Sequence, residues 1–343
     1  MTKQPLYGLT LSELREIAAS LDMPRHTAGQ IAAWLYKKRA TDIAQMTDLS
    51  LKNRALLEEK YEVGLTAPTS VAESADGTRK YLFPTAKGHA IEAAMIPDGE
   101  RATLCVSSQA GCRMGCTFCM TGRQGLQHNL TAGEILNQMR SITESEQLTN
   151  IVYMGMGEPL DNLDEALKSL EILTADWGYG WSPTRITVST IGILPQLRQL
   201  LDRSKVHVAV SLHTPFAAER AELMPMEKAF PAKEIVALLK EYDFSGQRRV
   251  SFEYIVFQGI NDSPAHVREL ARLLDGLKCR INLIRFHAIP DSPLRSPDDI
   301  GIERFRDAIA AKGIITTIRS SRGEDIQAAC GLLSTSTKPS TKP

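Results

Sequence analysis

Short apolar runs separated by segments of helical length fill the chain from residue 131 onward, and this alternation constrains the fold more than any other feature. Strands joined by helices form βα units, which build a parallel sheet covered by helices. Six runs have the length and composition of such strands: 150–157, 185–190, 206–213, 248–257, 280–287 and 313–320. With a seventh run near Cys105, the pattern predicts an α/β fold, specifically a partial (β/α)6 barrel rather than a full eight-stranded one.

Residues 1–65 are predicted to form a small N-terminal helical domain. Apolar side chains recur at roughly helical spacing from Leu9 to Leu21, and Thr10 with Glu13 has the spacing of a capping box. Two further helices are expected, near 27–38 and 50–61.

Aromatic and basic residues stand together at 34–39 in this domain. Such neighbours suit RNA, because aromatic rings stack on bases while the charges pair with phosphates. We therefore predict an RNA-binding accessory domain. The alternative, in which Trp34 packs in the small core and the charges are solvated, explains the same residues equally well.

Residues 66–100 are predicted to be a β-hairpin connector. The turn pairs Asp76-Gly77 and Asp98-Gly99 separate short strand-like runs, which is the usual sequence pattern of hairpins. The barrel core is then expected to span 101–333. The polar tail at 334–343 is expected to be disordered.

Charge and hydropathy exclude several classes of protein. The 40 Lys and Arg residues balance 40 Asp and Glu residues, so global charge cannot hold a polyanion, although a local basic patch still could. No stretch approaches the roughly 18 uninterrupted apolar residues of a membrane helix, and the start MTKQPLYGLTLSELRE lacks the apolar region of a secretory signal. We expect a cytoplasmic protein without membrane association and, since no large apolar patch is evident, a monomer.

Four of the six cysteines lie within fifteen residues, which indicates metal or redox chemistry rather than a disulfide framework. Cys112, Cys116 and Cys119 form a C-x3-C-x2-C triad. Three thiolates on one short loop can hold an iron–sulfur cluster and leave one iron open to a substrate or cofactor. A structural zinc site is the alternative, but it needs a fourth ligand at regular spacing, which His128 does not supply.

The triad, with Phe118 before its last cysteine, resembles the radical S-adenosylmethionine (SAM) superfamily. Four further motifs occur in this order along the chain: RATLCVSSQAGC, which ends at Cys112, then GMGEPL, SLH at 211–213 and RGEDIQAACG. Together they are similar to the RlmN family, radical SAM methyltransferases of RNA adenine C2, over about residues 1–333. The resemblance implies one [4Fe-4S] cluster held by the three triad cysteines, with SAM on the open iron.

The resemblance also implies which residues contact SAM. Each follows or ends a predicted strand, and ligands bind at the carboxyl ends of parallel strands. The implied contacts are Gly157, Glu158, Ser189, Ser211, Leu212, His213 and His287. For Ser189 and Ser211, hydrogen bonding to the local backbone is the alternative. His287 departs from the family, whose members usually have asparagine there.

Two cysteines outside the triad take their roles from the same resemblance. Cys330 is implied to accept a methyl group from one SAM. A second SAM then yields a 5′-deoxyadenosyl radical that removes hydrogen from the S-methyl group, and the resulting methylene radical adds to adenine C2. Cys105 is implied to release the adduct by forming a disulfide with Cys330. A sulfur carrier is needed because C2 is unactivated, whereas a thiolate accepts methyl readily. Cys279 is typical of a small core residue.

Glu92 lies on an apolar strand thirteen residues before Cys105 and matches the family's proposed acceptor of the C2 proton. The alternative is an outward-facing carboxylate on the hairpin.

The implied substrates are adenine-2503 of 23S rRNA and adenine-37 of tRNA, in unpaired loops from which the base can leave its stack. A flavodoxin-type protein is the expected electron donor. Two alternatives stay open. Cfr-type relatives share the triad and both further cysteines but methylate adenine C8, and an iron–sulfur protein could bind RNA without catalysis.

Overall fold

Seven parallel strands lie side by side in chain order within one ten-stranded sheet. The protein is described by a computed structural model that covers residues 3–335. The parallel strands are β6 (Arg101–Cys105), β9 (Asn150–Tyr153), β10 (Ile186–Thr190), β11 (His207–Ser211), β12 (Val250–Val256), β13 (Arg280–Arg285) and β14 (Ile315–Ile318). The other strands are β1 (Gln4–Pro5), β2 (Tyr61–Glu62), β3 (Ser70–Glu73), β4 (Arg79–Pro84), β5 (Ala90–Asp98), β7 (Gln109–Ala110) and β8 (His128–Asn129).

Helices connect the parallel strands, as the alternating pattern predicted. They are α4 (Met120–Gln124), α5 (Ala132–Arg140), α6 (Leu163–Thr174), α7 (Leu194–Arg203), α8 (Ala217–Leu223), α9 (Ala232–Leu239), α10 (Pro264–Leu274) and α11 (Asp299–Ala310). Each of the six predicted runs and the run near Cys105 contains one parallel strand. Strand β12 is buried along its whole length, as expected for a parallel strand covered on both faces. The predicted partial barrel is confirmed.

The hairpin strands continue the barrel sheet. Strands β3, β4, β5 and β6 pair antiparallel in turn, and β6 then pairs parallel with β9. Ala94 of β5 lies opposite Cys105 of β6. Paired residues point to the same sheet face and side chains alternate along a strand, so Glu92 shares that face with Cys105. The sequence predicted strand-like runs that contain most of β4, β5 and β6, but it did not predict β3 or the continuation of the barrel sheet by these strands.

Three helices form most of the N-terminal region: α1 (Leu11–Ser20), α2 (Thr27–Ala32) and α3 (Leu51–Lys60). The capping box of Thr10 and Glu13 is present as predicted. Helix α2 continues as a π-helical turn over Ala33–Lys37. Strands β1 and β2 pair in parallel and bring the two ends of the region together.

An aromatic cluster attaches this region to the barrel. Tyr7 and Tyr36 pack with Trp177 and Tyr179, and the hydroxyls of Tyr7 and Tyr179 lie 2.6 Å apart. Gly8, with φ +94°, lies so close to α5 that an added Cβ would be 2.3 Å from the Gly133 backbone. The close approach requires a residue without a side chain.

The aromatic residues near the basic run make protein contacts. The indole N–H of Trp34 donates to Asp48 Oδ1 at 2.5 Å, and Lys38 Nζ lies 3.9 Å from the centre of its ring. Tyr36 is buried in the cluster described above. These contacts correspond to the packing alternative for the aromatic residues and leave the RNA-binding prediction to be tested directly.

Two sequence predictions concern the tail and the membrane. The tail predicted to be disordered, 334–343, lies outside the described residues from 336 onward. Of the helices within residues 3–335, none is both long enough and apolar enough to cross a lipid bilayer.

Candidate functional site

Two adjoining cavities lie at the carboxyl ends of the parallel strands, where ligands bind in α/β folds. The smaller has a volume of about 150 Å³ and the larger about 570 Å³. Cys119, Met154, Arg319 and Cys330 border both of them. A reactive group at this shared boundary can therefore meet ligands in either cavity.

All three triad cysteines line the smaller cavity. Their loop connects β7 to α4, and Cys119 is the residue immediately before α4. Gly111 opens the loop with φ +77°, and a Cβ there would lie 1.8 Å from the Gly125 carbonyl oxygen. The amide of Cys112 donates to that same oxygen at 3.2 Å. The close return of the chain fixes the start of the loop.

The chemistry of these thiols fits a multinuclear cluster. Burial raises the pKa of Cys112 to about 12 and that of Cys116 well above its ordinary value, and the neighbouring triad sulfurs raise both further. Buried thiolates crowded in this way need positive charge from a metal to be stable. Within residues 3–335, no three His, Cys, Asp or Glu side chains converge closely enough to hold a single metal ion.

Five of the seven residues predicted to contact SAM line the same cavity as the cysteines: Gly157, Glu158, Ser189, Ser211 and His213. His287 instead borders the larger cavity, and its Nδ1 lies 3.5 Å from Glu324 Oε1. Leu212 is buried and borders neither of these two cavities, and its amide donates to the Glu253 carbonyl.

Gly157 brings the backbone close to the cavity floor. Its φ is +98°, and an added Cβ would lie 2.5 Å from the Gln109 Cβ. The next amide, that of Glu158, donates to Gln109 Oε1 at 2.8 Å. A glycine is therefore required here, both for the positive φ and for the contact with Gln109.

The Glu158 carboxylate is buried and held by the next strand. It accepts hydrogen bonds from Thr190 Oγ1 at 2.6 Å and from the Ile191 amide at 2.9 Å. Burial raises the pKa of this carboxyl to about 7, although these hydrogen bonds oppose the rise. A bound ammonium group would restore the charged form, so the site suits a cationic ligand.

His213 is a neutral imidazole at the end of β11. Its φ is +61°, and its Nδ1 accepts a hydrogen bond from the Ile255 amide at 2.9 Å, which leaves the ring proton on Nε2. Burial lowers its pKa to about 3, and the charge of Arg220 adds to the effect. The ring packs edge-on against Phe118 of the cysteine loop, with centroids 4.8 Å apart.

Sequence reasoning missed Arg220, which ties the strand ends together. It is 1% exposed and pairs with Glu227. Its guanidinium donates to the carbonyls of Ser211 at 2.9 Å and Ile191 at 3.2 Å. The only signal in the sequence is a charged residue on a short helix, which is too common to indicate such a role.

Cys105 and Cys330 both line the larger cavity. All six cysteines lie within the described residues and carry free thiols. Burial and the neighbouring Cys330 raise the pKa of Cys105 to about 12, and burial also raises the pKa of Cys330. Of these two cysteines, Cys105 is buried and Cys330 is exposed.

Sequence reasoning also missed Arg319. Its positive charge lowers the pKa of Cys105 and of Cys330, and so opposes the effect of burial on both thiols. Its Nη1 lies 3.3 Å from Glu253 Oε2 and 3.3 Å from the Met154 sulfur. A fixed cation beside two thiols favours their nucleophilic thiolate forms.

Glu92 is buried, so the alternative of an outward-facing carboxylate is wrong. Its Oε1 lies 2.9 Å from Lys80 Nζ, and its Oε2 accepts a hydrogen bond from the Ser334 amide at 2.9 Å. It shares a sheet face with Cys105 but borders neither of the two cavities. Cys279 also borders neither cavity and packs against the core.

Comparisons with known proteins find relatives that match nearly the whole chain. Residues 4–63 match the model of the ribosomal RNA large subunit methyltransferase N-terminal domain, and residues 106–274 match that of the radical SAM superfamily. A Bacteroides thetaiotaomicron protein named as a probable dual-specificity RNA methyltransferase RlmN is 58% identical over 98% of this chain and 97% of its own length. The RlmN of Syntrophotalea carbinolica is 41% identical over 97% of this chain and 90% of its own.

A solved structure is similar as well. The crystal structure of a radical SAM methyltransferase from Sphaerobacter thermophilus aligns with a TM-score of 0.89 at 42% identity. The alignment covers 96% of this chain and 99% of that one.

Proposed function

This chain belongs to the RlmN family of the radical SAM superfamily, and from that premise we propose that it methylates C2 of adenine in RNA, with adenine-2503 of 23S rRNA and adenine-37 of tRNA as targets. The observation that carries the proposal is the position of Cys330. It borders both the cavity of the three triad cysteines and the larger cavity that contains Cys105. A sulfur that must receive a methyl group from one ligand and deliver it to another needs this position.

The smaller cavity is the cofactor site. Cys112, Cys116 and Cys119 hold a [4Fe-4S] cluster, which supplies, when bound, the electron for reductive cleavage of SAM to a 5′-deoxyadenosyl radical. Glu158 accepts the ammonium of SAM, and Ser189, Ser211 and His213 offer hydroxyl and imidazole groups to its other polar atoms. His287 and Leu212 have weaker support as SAM contacts, because neither lines this cavity.

The larger cavity takes the target adenosine. Its volume of about 570 Å³ lies within the range of small-ligand pockets, so a nucleoside flipped out of an RNA loop can enter. Arg101 and Arg322 line its wall and provide guanidinium groups for phosphate oxygens.

Cys330 carries the methyl group between the two ligands. Its thiolate, stabilised by Arg319, attacks the SAM methyl carbon, and the sulfonium sulfur of SAM leaves with the bonding electron pair. Once the methylene carbon is bonded to adenine C2, the adduct radical would give up one electron, which the cluster can take back when bound, and Glu92 accepts the C2 proton. The Cys105 thiolate then attacks the Cys330 sulfur and forms a disulfide with it. The bond from that sulfur to the methylene carbon breaks, and the carbon leaves with the bonding electron pair and takes up a proton to become the methyl group.

The proposed division into domains is the one predicted from the sequence. Residues 1–65 act as the RNA-binding accessory domain, 66–100 as the β-hairpin connector and 101–333 as the radical SAM core. The protein works in the cytoplasm as a monomer and takes electrons from a flavodoxin-type donor.

One reconstitution experiment tests the proposal. The protein is loaded anaerobically with iron and sulfide and incubated with SAM, a reductant and a 23S rRNA fragment or tRNA, and the digested RNA is analysed by mass spectrometry. We expect 2-methyladenosine, its loss in Cys330→Ala and its retention in the matched control Cys279→Ala. Formation of 8-methyladenosine would instead assign the chain the Cfr-type reaction. Methylation that persists in Cys330→Ala would refute the carrier role.

A further inference from the structure

Residues 323–333 form the segment that carries Cys330. Two aspartates connect this segment by hydrogen bonds to the turn between β3 and β4. Asp76, in the turn, accepts a hydrogen bond at Oδ2 from the Gly323 amide at 2.9 Å. Asp325, in the segment, accepts one from Ser74 Oγ at 2.6 Å and another from the Ala75 amide at 3.2 Å. The turn and the segment each supply one carboxylate that accepts hydrogen bonds from the other. We call this pair, Asp76 and Asp325, the aspartate clasp.

The backbone at the clasp is closely packed. Gly323 has φ +64°, and an added Cβ would lie 2.8 Å from both the Ala328 Cβ and the Thr78 Cγ2. The Ala328 amide donates to the Gly323 carbonyl at 2.7 Å. The side chain of Ala328 in turn packs with Cys105 and Ala94. The clasp therefore sets the course of the chain up to two residues before Cys330.

Both carboxylates are charged at neutral pH. Burial raises the pKa of Asp76, but hydrogen bonds from Thr78 and Gly323 outweigh it and lower the pKa to about 2. The Ser74 and Ala75 donors lower the pKa of Asp325. Hydrogen bonds to a charged acceptor are stronger than neutral ones, so the charge on both carboxylates strengthens the attachment.

A second attachment lies on the other side of Cys330. The Met120 amide donates to the Gly331 carbonyl at 2.9 Å, and Thr121 Oγ1 donates to the Leu333 carbonyl at 2.6 Å. Both donors belong to α4, which begins directly after Cys119. The chain is therefore held on both sides of Cys330, by the hairpin turn before it and by α4 after it.

We propose that Asp76 and Asp325 are positioning residues for Cys330: by fixing the segment to the hairpin turn, they hold its thiol at the boundary of the two cavities and within reach of Cys105. Neither aspartate touches the reacting atoms. The inference rests on the proposed function of Cys330 as methyl carrier, and it gives the hairpin a part in the reaction that its place at the edge of the sheet does not suggest.

The first test is the rate at which Cys105 and Cys330 form a disulfide. The anaerobically reconstituted protein is exposed to oxidised glutathione, and the cross-linked peptides are followed by mass spectrometry. We expect Asp325→Ala and Asp76→Ala to slow cross-linking about ten-fold, because small displacements of reacting groups have large effects on rate. Asp325→Asn keeps an acceptor oxygen and should recover most of the cross-linking rate. If an alanine variant fails to fold, this asparagine variant still tests the role of Asp325.

The matched control is Glu73→Gln. Glu73 lies in the same hairpin, its side chain is 60% exposed and its carboxylate pairs with Arg79. It should cross-link at the wild-type rate. In the methylation assay the clasp variants should lose kcat about ten-fold, because Cys330 reacts only when its thiol is correctly placed, and Asp325→Asn should recover most of this loss. Folded alanine variants that cross-link and turn over at wild-type rates would overturn the inference.

The outcomes separate the clasp from the proposed function. If the wild-type protein cross-links but does not methylate RNA, the proposed function fails. The cross-linking rates of the variants and the wild type still test whether the clasp positions Cys330. If RNA is methylated and the alanine variants match the wild type in both assays, the clasp alone fails.

Discussion

The ammonium nitrogen of Lys80 lies 2.9 Å from Oε1 of Glu92, with side chains only 16% and 9% exposed. Lys80 is paired with Ala94 across β4 and β5, so the ion pair lies on the sheet face that carries Cys105. Lys80 Nζ also lies 3.4 Å from the Gln327 carbonyl of the Cys330 segment. The proposed proton acceptor therefore has a cationic partner that orients it.

Replacing Lys80 with methionine tests this pairing. The change leaves a buried carboxylate without its cation, which costs about 3 kcal/mol of folding stability for a buried pair. Because Glu92 is proposed to act after Cys330 has been methylated, methyladenosine formation should fall about ten-fold while S-methylation of Cys330 is retained. Both products are measured by mass spectrometry, with Lys80→Arg as the charge-conserving variant. An equal loss of both methylations would mean that Lys80 supports only the fold.

His213 makes folding stability sensitive to acid. Its folded pKa of about 3 lies below the ordinary value of 6.5, so below pH 6.5 the unfolded chain binds a proton that the folded protein does not. Stability is therefore complete above pH 6.5 and falls as the pH is lowered, by about 1.4 kcal/mol per pH unit.

His213→Asn removes this acid sensitivity. Asparagine tolerates the positive φ and can still accept the Ile255 amide. Urea unfolding of cluster-free protein at pH 6.5 and pH 4.5 should show the wild type losing about 2.3 kcal/mol more than the variant. Parallel losses in the two proteins would assign the acid sensitivity to other groups.

Gly8→Ala should separate the N-terminal region from the barrel. A Cβ at 2.3 Å from the Gly133 backbone forces the two apart, and the positive φ adds strain, so we expect a loss of about 3 kcal/mol. Thermal unfolding measures the loss, and RNA affinity should fall while SAM affinity is unchanged. Gly29→Ala is the control, since a Cβ added there would meet no atom within 4 Å and alanine favours the helix. Unchanged RNA affinity in a destabilised Gly8→Ala protein would remove the N-terminal region from RNA binding.

Gly157→Ala should weaken SAM binding more than ten-fold. The new Cβ would push Gln109 away and break the hydrogen bond that the Glu158 amide donates to Gln109 Oε1, which displaces Glu158. Equilibrium dialysis of the reconstituted protein with SAM measures this effect. Gly180→Ala is matched in backbone strain, with φ +68°, but has open space around its Cβ, so its SAM affinity should equal that of the wild type. Equal affinities in all three proteins would mean that the Gly157 backbone does not shape the SAM site.

The elements of this fold were predictable because their signals are local. The apolar run at 280–287 contains β13, and the Thr10 and Glu13 spacing produces the expected cap of α1. Burial of one face and satisfaction of the first helical amides depend on neighbours within a few residues, so each leaves a pattern in the sequence. The grouping of the triad with Gly157 and His213 was implied by the resemblance to the RlmN family, and it agrees with the rule that the carboxyl ends of parallel strands meet at one edge.

The sequence by itself determined the alternation that builds the barrel, the cysteine spacing and the motifs that identify the family. Only the tertiary structure decided that the hairpin strands extend the sheet, that Lys80 faces Glu92 and that Asp325 reaches Ser74, about 250 positions away in the chain. The physical reason is that a hydrogen bond or ion pair depends on distances of a few ångströms in space. Residues far apart in sequence have no fixed spacing, so such a contact exists only once the sheet and its loops have set the path of the backbone.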